Sequence, residues 1–464
     1  MIEIPPHIVA QLLYLVHTDP EELQEALGEL RAADIAEALK ELPPEAAAKV
    51  MASLSFELAV QVFDEPELSH HRCAIIQRID PQKAGPLIEA MSSDQQADLF
   101  REVPPEDRSR LLATVSDATR SSLRKLLQYP SETAGGIMTT EYLSVPSDWT
   151  VGQALALIAE VGGRKETVYA IYVLDPATQE LVRVVSLREL MTAPRDEPIM
   201  EVGSRRSPLT VTPQIDREEA ARLISKYNLL AIPVVDGERR MLGIVTVDDV
   251  IDALVEESTE DVQRFGGMEA LDAPYMEIGF GEMIRKRAGW LCALFVSEML
   301  TATAMQRFQG EIERAAVLAM FIPLVMSSGG NSGSQATSLV IRALALQELR
   351  LRDWWRIALR ELPTGLVLGA ILGVIGFARI VLWQNLHIFS YGPHYFLLAI
   401  AVGFALVGIV AFGSLAGSML PFLLKRIGFD PASASAPFVA TLVDVTGLVI
   451  YFSVAFLVLR GTLL

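Results

Sequence analysis

Asp444 stands inside Pro437 to Tyr451, a run whose other polar side chains are only Thr441 and Thr446. A carboxylate at membrane depth is costly, so such a group faces a water-filled path or a partner. Thr441 and Asp444, three residues apart, share one face if the run is helical. Glu298 is a second acid within an apolar stretch. A third feature is Ser327-Ser328-Gly329-Gly330-Asn331-Ser332-Gly333-Ser334-Gln335, small and polar throughout. A lipid-facing helix would not accommodate that run, which leaves two uses for it: close packing of helices, or the lining of a polar path. Carboxylates with neighbouring oxygens suit hard cations, and Mg2+ in particular keeps most of its water and takes one or two acids. Mn2+ and Co2+ fit the same ligands, whereas no His or Cys set favours Zn2+ or Cu+.

A second concentration of acid lies upstream. From Asp248 to Glu282 there are 11 acidic residues and 1 basic residue, Arg264. Asp249, Asp252, Glu256, Glu257, Glu260 and Asp261 recur at helical spacing, gathering carboxylates that divalent cations could bridge. The alternative is a solvated acidic linker.

These groups need elements to hold them, and charge and hydropathy divide the 464 residues into two halves. Residues 1–284 carry 49 acidic and 25 basic residues, a net charge of −24, while residues 285–464 carry 8 and 14, a net of +6. The acidic excess excludes a duplex-binding protein, which needs a basic stripe against phosphates. Cys73 and Cys292 fall one in each half and imply no disulfide framework. Met1 to Asp19 lacks a basic leader and a cleavage site, so no signal peptide is expected.

After Arg285 come five apolar stretches of spanning length, near 288–306, 315–341, 362–384, 394–424 and 436–459. If the first begins inside, the inner connections hold ten Lys and Arg, from Arg285 to Arg426, against Arg307, Arg314 and Arg460 outside. The positive-inside rule then places the N-terminal half in the cytosol and the C-terminus outside.

Two internal repeats organise the first half. Glu41-Leu42-Pro43-Pro44-Glu45 recurs as Glu102-Val103-Pro104-Pro105-Glu106, each before an amphipathic pattern, which predicts stacked helices over residues 1–130. Asp94 is a candidate ion ligand there. Ile171-Tyr172-Val173-Leu174-Asp175 with Val185-Ser186-Leu187-Arg188-Glu189-Leu190 matches Ile232-Pro233-Val234-Val235-Asp236 with Val245-Thr246-Val247-Asp248-Asp249-Val250. Each unit reads strand, turn, strand, helix and resembles a CBS domain. Thr246 and Asp249 fit the TxxD nucleotide pattern of such domains, which implies ATP as a ligand, although Arg183 stands where the second repeat has Gly243.

Along the whole chain the residues resemble the MgtE family of magnesium transporters. The resemblance rests on Thr133-Ala134-Gly135-Gly136-Ile137-Met138-Thr139-Thr140-Glu141, on Gly329 to Gln335, and on Asp430-Pro431-Ala432 through Pro437 to Gly447. It implies a multidomain chain: a helical N domain at 1–130, CBS domains at 131–200 and 201–254, an acidic connecting plug helix at 255–284 and a five-helix pore domain at 285–464. It also implies a homodimer in the inner membrane that imports Mg2+ and is not an enzyme. Asp444, the Ala440 carbonyl, Thr441, Asn331 and Gly330 would hold the ion in the pore. Cytosolic Mg2+ bound among Asp216, Glu218, Asp249, Asp252, Glu257, Glu260 and Asp261 would keep the pore shut. Asn228 departs from the acid found there in some relatives, and no family role attaches to Glu298. A broad divalent channel, or a nucleotide sensor merely anchored by five helices, would account for the same parts.

Overall fold

The structure, a computed structural model, describes residues 6–271, 273, 275–276 and 278–462. It divides after Glu257 into two compact units.

In the first unit, ten α-helices among the described residues run from Pro6 to Leu126. The two proline repeats start helices in the same way. Pro44 opens Pro44–Ser53 and Pro105 opens Pro105–Leu112, where the missing N–H costs nothing. The prolines before them, Pro43 and Pro104, adopt nearly identical backbone angles. Leu39, Val50, Phe63, Ile88 and Phe100 are fully buried and make one core through the stack.

The CBS pair follows. β1 (Leu143–Pro146) runs parallel to β2 (Ala170–Leu174), which pairs antiparallel with β3 (Leu181–Ser186). In the second repeat β4 (Ala231–Val235) and β5 (Met241–Thr246) form the matching hairpin, and Val211 bridges parallel to Val234 where β1 stands in the first. Both hairpins shift register at the same place, after Val173 and after Val234. The difference between Arg183 and Gly243 has a steric cause. A Cβ at position 243 would sit 2.5 Å from the Thr139 carbonyl oxygen, because Thr139 exchanges two backbone hydrogen bonds with Ile244. In the first hairpin Arg183 instead donates to the Val202 carbonyl. Asn228 likewise has a backbone reason: it ends the helix Arg217–Tyr227 at φ +50°, a left-handed conformation that asparagine tolerates.

The acidic connecting helix differs from the expected span of 255–284. It starts at Val247, directly after β5, and ends at Phe265. Gly266 and Gly267 stop it, and Gly267 takes φ +79°.

Among the described residues the second unit contains five helices long and apolar enough to cross a membrane: Phe280–Arg307, Ala316–Ala345, Leu351–Asn385, Tyr395–Arg426 and Ala436–Leu459. The fourth is the centre of the bundle. Gly365, Gly369 and Gly373 of the third span lie against its backbone, and Gly329 and Gly333 of the second meet it at Gly413 and Gly417. Close backbone approach through small residues is how helices pack without a hydrophobic driving force. The first span rests chiefly on the fifth.

Candidate ion path and cation-binding carboxylates

The small-residue run of the second span serves both of its expected uses, on different faces. Gly329 and Gly333 pack on the fourth span, Ser332 shares a 2.6 Å hydrogen bond with Ser414, and the Thr337 hydroxyl donates to the carbonyls of Gly333 and Gly417. Gly330 lies against Ala440 of the fifth span, at ordinary contact distance. Ser327, Asn331 and Gln335 remain exposed, four residues apart, as a polar stripe down one side of a membrane helix. Among the described residues Asn331 reaches only Ser327, at 3.5 Å.

Asp444 is half-buried on the fifth span, and among the described residues no ion pair or hydrogen bond engages its carboxylate. Arg379, toward the end of the third span, stacks on Trp383. Glu298 of the first span lies within electrostatic reach of Asp444. Thr441 is buried, and its hydroxyl donates back to the Pro437 carbonyl at 3.0 Å, leaving its lone pairs as the available ligand.

In the first unit Asp94 is 6% exposed, and its Oδ1 has no hydrogen-bond partner. An uncompensated buried carboxylate is expensive. The helix Ser93–Glu102 puts it there: Ser93 is bound to the backbone N–H of Thr140 and to the hydroxyls of Thr139 and Thr140, tying the helical stack to the start of the CBS pair. Asp249, whose carboxylate accepts the Thr246 hydroxyl, is within electrostatic reach of Asp94. Burial first, and neighbouring acids after it, hold both carboxyls above the usual range. Burial pushes Glu141 and Glu166 up to about 7, with Asp94 and Asp64 adding to it. Arg72, buried and donating to the carbonyls of Asp64 and Glu65 and to Gln95, brings one positive charge to this group of acids. Asp64, Glu141 and Glu166 were not legible as members, because they come from three separate elements; only the position of Glu141 at the end of the Thr133–Glu141 motif pointed to it.

The other expected acids are more compensated than a charge count along one helix implies. Arg217, 5% exposed, donates to Glu256 at 2.6 Å and to Glu257 at 3.1 Å. Arg264 pairs with Glu260 at 2.7 Å and with Asp430 just ahead of the fifth span. Asp216 caps its helix by accepting from the Glu218 N–H, and Glu218 lies 3.6 Å from Arg222. Asp252 is exposed near Glu67 and Asp248, and Asp261 is half-buried. Among the described residues no three His, Cys, Asp or Glu side chains form a ready metal cage. A hydrated Mg2+, bound through one or two carboxylates, asks for no such cage.

The shifted acids make a pH prediction. Their folded-state pKa values are raised, so the folded state holds protons that the unfolded chain releases; the resulting stability is full below the ordinary carboxylate range and is lost as pH rises through about 7. In divalent-free buffer the melting temperature of the first unit's transition should fall by several degrees from pH 5 to pH 8, and millimolar Mg2+ should flatten that fall. A melting temperature that rises over the same interval would contradict the assignment.

Fold and site together define a multi-pass membrane protein with a tandem CBS module and an unpaired carboxylate among its spans. Family models match as the MgtE divalent cation transporter at residues 322–454, the MgtE intracellular N domain at 30–132, and the CBS domain at 134–196 and 199–256. The magnesium transporter MgtE of Thermus thermophilus is 38% identical over 462 residues, covering 94% of this chain and 100% of that protein. The magnesium transporter MgtE of Enterococcus faecalis is 35% identical over 338 residues, 73% of this chain and 72% of that one. A crystal structure of the cytosolic domain of the Mg2+ channel MgtE in complex with ATP aligns with TM-score 0.49 at 32% identity, over 52% of this chain and 96% of that one. The chain belongs to the MgtE family, which is a family of transporters rather than enzymes.

Proposed function

We propose that this protein is a homodimeric Mg2+ channel of the inner membrane that imports Mg2+ and is closed by Mg2+ bound to its cytosolic half. The observation that carries the reading is the uncompensated Asp444 in a membrane helix whose neighbour, the second span, exposes the polar stripe Ser327, Asn331 and Gln335. Two copies of Asp444 facing one axis, with Ala440 and Thr441 oxygens and Gly330 and Asn331 beside them, would hold a hydrated ion. A compact hydrated dication needs charge more than dehydration, which suits one carboxylate per chain. The ten basic residues of the connections expected on one side support an orientation with the N-terminal half inside.

Closure follows from linkage: Mg2+ favours the state in which it binds more tightly. Asp94, buried, and Asp249, half-buried, are the strongest candidates for that ion, being acidic and near each other, with Asp216, Glu218, Asp252, Glu257, Glu260 and Asp261 contributing along the connecting helix and its surroundings. Without the ion their repulsion loosens the cytosolic half, and with it that half is compact. ATP is the nucleotide we propose for the CBS pair at Thr246 and Asp249, so that nucleotide and cation would share one carboxylate. The test is Asp94→Asn with Asp249→Asn. This pair should raise the divalent-free melting temperature and abolish most of the Mg2+-dependent stabilisation and protease protection. A double variant that is stabilised by Mg2+ as strongly as wild type would remove these residues from the sensor.

A further inference from the structure

The bundle carries one feature that ion conduction does not use. A groove of about 710 Å³ opens between the start of the third span and the end of the fourth, lined by Trp354, Met419, Leu423 and Leu442, with Arg352 and Arg426 among its walls. The ends of the second and fourth spans and the starts of the third and fifth share one side of the membrane, because the spans alternate. Arg352 stands in the turn that opens the third span and Arg426 is the last residue of the fourth, so both guanidinium groups lie at the membrane surface. Leu442 is the seventh residue of the fifth helix, about 9 Å deeper at the helical rise. The groove therefore descends from a basic rim into apolar depth. Trp354 and Trp355, exposed at the start of the third helix, mark the level of the headgroups.

Charge selects the occupant. Arg352 and Arg426 are exposed, and among the described residues neither makes an ion pair. A second copy docking symmetrically would present the same cations to themselves. A free anion would satisfy the rim and leave the apolar walls uncovered. We propose that the groove binds one anionic phospholipid per chain, its phosphate held by Arg352 and Arg426 and an acyl chain laid along Trp354, Met419, Leu423 and Leu442. Basic pockets between membrane helices recognise anionic headgroups by this chemistry.

The test is native mass spectrometry of the full chain in mild detergent, titrated with phosphatidylglycerol or phosphatidylcholine. Wild type should hold one phosphatidylglycerol per chain and bind phosphatidylcholine weakly. Arg352→Gln with Arg426→Gln should weaken phosphatidylglycerol binding roughly thirtyfold, as expected for two juxtamembrane cations. Leu423→Trp, which fills the groove and leaves both arginines, should weaken it too. Glycerol phosphate in excess should displace nothing. Equal affinity for the two lipids, undiminished binding in both variants, or displacement by glycerol phosphate would overturn the proposal. So would a variant that changes the dimer fraction and not lipid occupancy, since the groove would then be an interface between copies.

Discussion

Asp444→Ala should lower Mg2+ flux into proteoliposomes by roughly a hundredfold, about 2.7 kcal/mol at the ion site, while the protein melts no earlier than wild type. The two halves of that expectation have one cause. Asp444 is half-buried and, among the described residues, engaged by no cation or donor, so in the resting fold it is a cost rather than a contact. A carboxylate held by a structural arginine would behave in the opposite way: its removal would leave a buried guanidinium and lower stability by several kcal/mol. Arg379, near the end of the third span where Asp444 is near the start of the fifth, stands toward the opposite side of the membrane and stacks on Trp383. Asp444→Glu keeps the charge on a longer stem and should retain partial flux. Full flux in Asp444→Ala, or a large loss of stability without loss of flux, would return the residue to a structural role.

The second large effect concerns the contact between the second and fourth spans. A Cβ at Gly417 would lie 2.2 Å from the Gly333 carbonyl oxygen and 2.8 Å from Oγ1 of Thr337, the hydroxyl that donates to the Gly417 carbonyl. The nearest obstacle is backbone, which no rotamer change can move. Gly417→Ala should therefore cost about 3 kcal/mol, the upper end for overpacking, and lower the melting temperature of the membrane unit in detergent. Gly330→Ala is the contrast. Its added methyl would meet Ala440 at 3.4 Å, an ordinary contact, so stability should hardly change, and any effect should appear in flux. Equal melting temperatures for Gly417→Ala and wild type would mean that the spans are not packed as described.

Much of this architecture could be read from the chain because its signals are local. Five apolar stretches, a repeated strand-turn-strand-helix pattern and the echoed Pro-Pro pairs each lie within a short window, and all three became elements of the expected kind. Asp444 stands out in the sequence for the same reason, as one charge in what the structure has as an apolar helix. What the chain concealed was pairing between distant segments. The acidic helix reads as unbalanced until Arg217, 40 residues before Glu257, is found buried against it. Its end at Phe265 rather than near 284 was written in Gly266 and Gly267, but the length of the acidic run obscured that signal. Arg183 opposite Gly243 and Asn228 read as departures in a repeat or a ligand set, and each has a backbone cause, the segment at Thr139 that bridges to Ile244 beside Gly243 and a left-handed helix cap. The acidic cluster around Asp94 combines a helix of the stack, the loop at Glu141, the turn at Glu166 and the start of the connecting helix, a convergence that only the fold assembles.

The most direct measurement is Mg2+ flux through the full chain reconstituted in liposomes, followed while Mg2+ on the face that carries the N-terminal half is raised from micromolar to tens of millimolar. The account predicts flux that is high at the low end, falls steeply as that face fills with Mg2+, and no longer falls in Asp94→Asn with Asp249→Asn. Absence of flux at every concentration would contradict it and leave the five helices as an anchor for a CBS sensor.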